Sequence, residues 1–431
     1  MTVSTGPVQD VTLKNGLRIR LKEIHTAPLI SSWIWYRVGS RNEIQGITGI
    51  SHWVEHMQFK GTPRYPAGIL DRAISRSGGI WNALTYLDWT CYFETMPSDQ
   101  IDLALDLEAD RMVNSLYDPQ EVASERTVII SERQGHENEP YYRLGEEVQA
   151  AAFRVHSYHH EVIGDQIDLE RMTRDDLYQH YRRYYVPGNA ILVVAGDFQT
   201  SEMLDLIQEK FSGIPCAEVQ NFQTRPEPVQ KGERRVYVEG PGDTSFLEVG
   251  YHAPAGSDPD FIPMMVLDSV LCGPSSLNLF GGGISNRTSR LYQALVKGEL
   301  AAGVGGSLSA TIDPFLYSIQ ATIRQDKTAG DTLVALDTEI ERVLNNPLKM
   351  DEINKAIRQA QALFAYGSES ITNQAFWMGY SEIFADYSWF TGYLDRIEAV
   401  TPEQVLITAR KILRPQNRTV GIYQSQDEVP A

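Results

Sequence analysis

The chain has 431 residues, 42% of them hydrophobic, and a formal net charge of −18. That length supports two or three domains with substantial cores, and the acidic balance argues against nucleic acid, whose phosphates need a basic stripe. An acidic surface keeps a protein soluble and also suits cationic peptides.

Three cysteines, Cys91, Cys216 and Cys272, are odd in number and far apart, with neither a thiolate metal spacing nor a disulfide framework. They point to a reducing compartment. The opening MTVSTGPVQD shows no secretory or transit pattern, and no run reaches the length of a membrane span. A cytoplasmic, bacterial protein without a membrane partner is the expectation.

Val11 to Leu13 and Leu17 to Leu21 read as strands around the hairpin signal Lys14-Asn15-Gly16, and Leu29 to Val38 as a longer strand. Gly46 to Thr62, GITGISHWVEHMQFKGT, follows. Glycines precede its centre at Gly46 and Gly49, Gly61 and Pro63 close it, and Ile47, Ile50, Val54 and Met57 form an apolar stripe. On a helix His52 and His56 share one face and Glu55 sits beside them. Two neutral imidazoles can hold Zn²⁺ while an unbound carboxylate takes a proton from water, which is the H-E-x-x-H arrangement read backwards. The alternative is a solvated helix face on which the three residues coincide.

A helix over Ala67 to Ser77 ends at Gly78-Gly79, then strands run over Ile80 to Thr85 and Trp89 to Met96. Ser98 reads as the cap of a helix over Asp99 to Asn114. Asp118 to Asn138 reads as one long helix of roughly 30 Å that carries Glu125 and Glu132 two turns apart on one face. Two histidines need a third protein ligand, and a distant carboxylate is a usual source. Glu137 and Glu139 lie where Asn138-Glu139-Pro140 ends that helix, so neither is favoured.

From Met172 to Phe198 the chain reads as a helix capped by Thr173, then Pro187-Gly188-Asn189, then the strand Ala190 to Gly196; Thr200 to Phe211 is a further helix. The grammar returns as Thr401-Pro402-Glu403, a helix to Leu413, Arg414-Pro415-Gln416-Asn417 and the strand Thr419 to Tyr423. That echo implies two similar halves. Residues 1–215 form the metal-bearing domain, 216–232 a Pro/Gly-rich linker and 233–431 the second domain. The latter opens with strands Arg234 to Val238 and Phe246 to Tyr251, and its helix Pro259 to Cys272 has no histidine.

HWVEHMQFKGTPRYP, GGIWNALTYLDWTCYF (Gly78 to Phe93) and SERTVIISERQGHENEP (Ser124 to Pro140), with the repeated pattern, resemble the inverted-zinc peptidases of the pitrilysin and insulin-degrading-enzyme class, especially the half-length members akin to mitochondrial processing peptidase. The resemblance implies an α+β fold of two similar domains, each a mixed, mostly antiparallel sheet with helices on one face. It places the third zinc ligand at Glu132, with Glu125 as a nearby carboxylate one layer out. It makes Asn82 and Ala83 part of an edge strand that takes a peptide substrate as another strand; the plain alternative is an ordinary strand with Asn82 at its rim.

By the same resemblance His156, His159 and His160 lie in a structural loop, and His136 is incidental. Gly281-Gly282-Gly283 is a loop before a helix over Thr288 to Val296, and lacks the features of a phosphate loop. Many active members carry an Arg and a Tyr seven residues apart that reach the substrate carbonyl. Here Val296 and Gly303 stand there, or Ala302 in the Tyr place if one residue is gapped. Neither can donate to an oxyanion, so a heterodimer with a homologous subunit carrying the Arg/Tyr pair is expected. Arg287, Arg290 or Tyr292 acting in cis, or a homodimer, are the alternatives. The expected activity is zinc endopeptidase on unfolded or oligopeptide substrates; the other readings are an assembly subunit of the same fold and a structural zinc.

Overall fold

The computed structural model describes residues 8–217, 219, 222–274, 285–346 and 348–426. Among these residues two mostly antiparallel sheets organise an α+β fold. The first has six strands, β1 (Gln9–Thr12), β2 (Arg18–Glu23), β3 (Leu29–Tyr36), β4 (Ile80–Thr85), β5 (Thr90–Pro97) and β6 (Ala190–Gly196), in the order β1-β2-β6-β3-β5-β4. The second has five, β7 (Arg234–Pro241), β8 (Phe246–His252), β9 (Ala301–Leu308), β10 (Leu316–Ile323) and β11 (Arg418–Gln426), in the order β7-β11-β8-β10-β9.

The repeat shows in the pairings. β2–β6 is parallel while β6–β3, β3–β5 and β5–β4 are antiparallel. β7–β11 is likewise parallel, followed by antiparallel β11–β8, β8–β10 and β10–β9. The echoed segments match locally as well. Thr173 and Thr401 each cap a helix through a capping box, on Arg174–Tyr184 and Pro402–Ile412. Asn189 and Asn417 then each turn an amide back onto that helix, donating to Tyr184 O at 2.9 Å and to Ile412 O at 2.9 Å.

The compact units are not contiguous in sequence. One comprises residues 1–133, 160–224 and 368–387; the other comprises 134–159, 225–367 and 388–431. In the first, helix Ile371–Phe384 packs on β3 and β6, and lies so close that a Cβ at Gly379 would meet Trp35 Nε1 at 2.0 Å. Trp33 and Trp35 lie beneath this helix, while Tyr36, on the opposite face of β3, stacks on Tyr185. Burial of both faces is why β3 carries bulky apolar side chains at four consecutive positions, Trp33 to Tyr36. In the second unit, helix Pro140–Ala152 packs on β7, β8 and β11, and its Val148 fills the space a side chain at Gly421 would need.

Several sequence expectations need correcting. Ser98 begins a short 3-10 turn, Ser98–Gln100, and caps no helix; Ile101–Asn114 starts after it. Pro140 follows the end of helix Pro119–Glu137 but opens the next helix, where proline's fixed φ and missing N–H suit the first turn. The helix expected over Thr288 to Val296 is a π-helical turn, Tyr292–Val296, with Lys297 N bonded to Tyr292 O at 3.0 Å. Gly281, Gly282 and Gly283 lie outside the described residues. No helix among the described residues is long and apolar enough to cross a membrane.

Candidate metal centre

The helix Ile50–Met57 begins at Gly49, whose φ of 84° is left-handed. Glycine is needed there twice over, because a Cβ would also meet Ile163 O at 2.3 Å. With no cap side chain at Gly49, the buried Glu43 takes that role, accepting from Gly49 N at 2.7 Å and Ser51 N at 2.9 Å. Burial pushes the Glu43 carboxyl up to about 7. Asp168 holds the preceding turn, accepting from Gly46 N, Thr48 N and Thr48 Oγ1. Trp53, Val54 and Met57 are buried, which turns His52 and His56 outward on the other face.

The long helix Pro119–Glu137 brings in the carboxylates. His52 Nε2 and His56 Nε2 are 3.2 Å apart, and Glu132 Oε2 is 3.9 Å from the first and 3.7 Å from the second. Two nitrogens each about 2.0–2.1 Å from a tetrahedral ion stand about 3.3 Å apart, so the imidazole pair has zinc spacing, and Glu132 lies a few tenths of an ångström outside it. Among the described residues this is the one group of three His, Cys, Asp or Glu side chains with ligand atoms all within 4.8 Å of one another. The donor set, two imidazoles and a carboxylate with a coordination position left over, suits a catalytic zinc rather than a closed structural one.

Glu125 fixes the imidazole that faces it. Its Oε1 lies 2.8 Å from His56 Nδ1, and Oε2 is paired with Lys60. Glu125 as the ionised acceptor assigns the proton to Nδ1 and leaves the Nε2 lone pair for a metal. Burial works against ionisation of Glu125, but the bonds from His56 and Lys60 outweigh it and hold its carboxyl below the usual range. Burial likewise works to lower His56, and the bond to Glu125 with the charges of Glu55, Glu125 and Glu132 raises it instead.

Glu55 has a separate partner. It is 8% exposed, its Oε2 accepts from Thr85 Oγ1 at 2.6 Å, and burial pushes its carboxyl up to about 7. Thr85 ends β4, one of the two edge strands of the first sheet, against which the helix packs. Asn82 and Ala83 lie on this edge strand, with Ala83 N donating to Asn82 Oδ1 at 2.9 Å.

The other histidines do not gather. His156 Nε2 sits 3.1 Å from Asp313, His160 Nδ1 faces Glu161 O, and His136 packs on Tyr142. Val296 closes the π-helical turn and Ala302 and Gly303 lie on β9. Of the cis substitutes, Arg290 is committed to Glu339 and Glu352 at 3.1 and 2.9 Å. Sequence reasoning missed Lys60, Glu43, Asp168 and Thr85. Lys60 stands four residues after His56, a spacing that was readable; Glu43 reaches backbone groups six and eight residues on without any periodic signal, and Asp168 and Thr85 act across 120 and 30 residues.

The helix and its donors have the layout of the inverted zinc-peptidase motif. The chain belongs to peptidase family M16: the model described as Insulinase (Peptidase family M16) matches residues 18–166, and that described as Peptidase M16 inactive domain matches residues 171–360. A Streptomyces coelicolor protein named an uncharacterized zinc protease is 27% identical over 96% of this chain and 90% of its own length. The Helicobacter pylori zinc protease PqqE is 32% identical over 61% of this chain and 60% of its own length. The crystal structure of a protease from Helicobacter pylori superposes with a TM-score of 0.90 at 26% identity, covering 97% of this chain and 99% of that one.

Proposed function

We propose that this chain is the zinc-bearing subunit of an endopeptidase acting on unfolded or oligopeptide substrates, with His52, His56 and Glu132 holding the metal. The observation that carries the reading is the pair of imidazole Nε2 atoms 3.2 Å apart beside Glu132, with Glu55 on the same helix held by Thr85. When bound, zinc polarises a carbonyl and makes water a better nucleophile at neutral pH. Glu55 accepts the proton of the attacking water and returns it to the leaving amine, and its burial makes the carboxylate a stronger base than one at the surface. The peptide adds to β4 as a further strand, and its carbonyl replaces the local bond between Ala83 N and Asn82 Oδ1. The zinc-protease names of the relatives support the reading, and the three free cysteines fit a reducing compartment such as the cytoplasm.

The two carboxylates on helix Pro119–Glu137 separate by experiment. Glu132→Gln is expected to weaken zinc binding most, whereas Glu125→Gln, which only loosens His56, costs on the order of tenfold to a hundredfold in affinity. Zinc titrations of both variants decide it, and a larger loss at Glu125 swaps their roles.

Val296, Ala302 and Gly303 offer no side-chain donor to a developing oxyanion, and loss of one such donor costs on the order of a hundredfold to a thousandfold in rate. A homologous subunit carrying an Arg and a Tyr seven residues apart supplies those donors in a heterodimer. Turnover of an unfolded peptide by the isolated chain is therefore expected to be weak and to rise about a hundredfold or more on adding that subunit. Full zinc-dependent activity of the chain alone, unchanged by the second subunit, contradicts this division and favours a homodimer. An assembly subunit without activity is disfavoured because such a role needs no metal donors.

A further inference from the structure

Glu55 has three side-chain torsions, and a base that samples several of them is aimed correctly only part of the time. The structure offers one device that removes this freedom. Thr85 Oγ1, 2.6 Å from Glu55 Oε2, is itself 3.2 Å from Thr90 Oγ1, and Thr90 donates to Val38 O at 2.9 Å. Thr85 and Thr90 are opposed across β4 and β5, next to the turn closed by Tyr86 N to Trp89 O at 2.8 Å. Thr90 is fully buried. With the Thr90 proton committed to Val38, the single proton of Thr85 goes to the carboxylate, an acceptor only. A threonine side chain is stiff at χ1, so the backbone of β4 sets where that hydroxyl points.

We propose that Thr85 is the positioning residue for Glu55: its hydroxyl fixes one carboxylate oxygen and leaves the other directed toward the reacting water. The inference rests on the peptidase reading above and deepens it. β4 is also the edge that receives the peptide, so substrate strand and base are set by one hairpin. Neither Thr85 nor Thr90 binds metal or touches substrate in this scheme.

The test compares Thr85→Val, which keeps the branched shape without the hydroxyl, with Thr85→Ser, which keeps the hydroxyl, and with Glu55→Gln. All are assayed zinc-loaded, with the homologous subunit present, and crystal structures of wild type and Thr85→Val are determined. Thr85→Val is expected to keep one zinc and the wild-type KM while kcat falls about tenfold to a hundredfold, the scale of a misplaced catalytic group. Thr85→Ser is expected within about twofold of wild type, and the Glu55 carboxylate is expected to leave its wild-type orientation in Thr85→Val. If Thr85→Val does not fold, Thr85→Ala takes its place in every arm. Unchanged kcat with Glu55→Gln inactive, a loss confined to KM, or an unmoved Glu55 in the crystal overturns the positioning role and leaves the peptidase reading standing. Wild-type turnover by Glu55→Gln overturns the reading itself.

Discussion

Glu55→Gln is expected to retain zinc and to lose turnover by about a hundredfold to ten-thousandfold, the range that general acid–base catalysis supplies. The substitution is close to isosteric, and its side-chain oxygen still accepts from Thr85, so the buried position keeps its packing. What disappears is the capacity to take and return a proton. Burial lifts the Glu55 carboxyl of the metal-free chain and makes it a stronger base than an ordinary surface glutamate. Kinetics on an unfolded peptide together with metal analysis check this. Zinc lost from correctly folded Glu55→Gln makes Glu55 a ligand and means the motif has been misread.

The second large effect is on metal-linked stability. A ligand that binds only the folded chain stabilises it by about 2.7 kcal/mol at a hundredfold excess over Kd. Thermal unfolding of the metal-free wild type is therefore expected to move upward when zinc is added, and that of His52→Ala or His56→Ala is expected to stay where it was. The two variants also differ from each other without metal. His56→Ala removes the partner of Glu125 Oε1 and leaves that buried carboxylate to Lys60 alone, so it loses about 1–3 kcal/mol that His52→Ala keeps. Equal zinc-dependent shifts in wild type and both variants contradict the assignment.

Much of the candidate site's layout was legible because its parts are local. His52, Glu55 and His56 are ordered by one helical turn, and Glu125 and Glu132 by two turns of a helix whose length the periodicity gave to within a residue at each end. The two halves were visible because Thr173 with Asn189 and Thr401 with Asn417 repeat a cap and a turn at matching spacing. What stayed hidden are bonds that leave no periodic mark, whether made a few residues away or far along the chain. Glu43 and Asp168 hold the metal helix by backbone bonds that no pattern announces, and Thr85 meets Glu55 across 30 residues. Helices Pro140–Ala152 and Ile371–Phe384 each fold in the unit dominated by the opposite half of the chain. Local propensity says where a helix forms and is silent on which sheet it covers.

The most direct measurement is the zinc content of the chain purified without added metal, set beside that of the His52→Ala/His56→Ala double variant prepared in the same way. The account predicts about one zinc per wild-type chain and none retained by the double variant, since both imidazole donors are gone. Stoichiometric zinc in the folded double variant would place the metal elsewhere and contradict the centre described above.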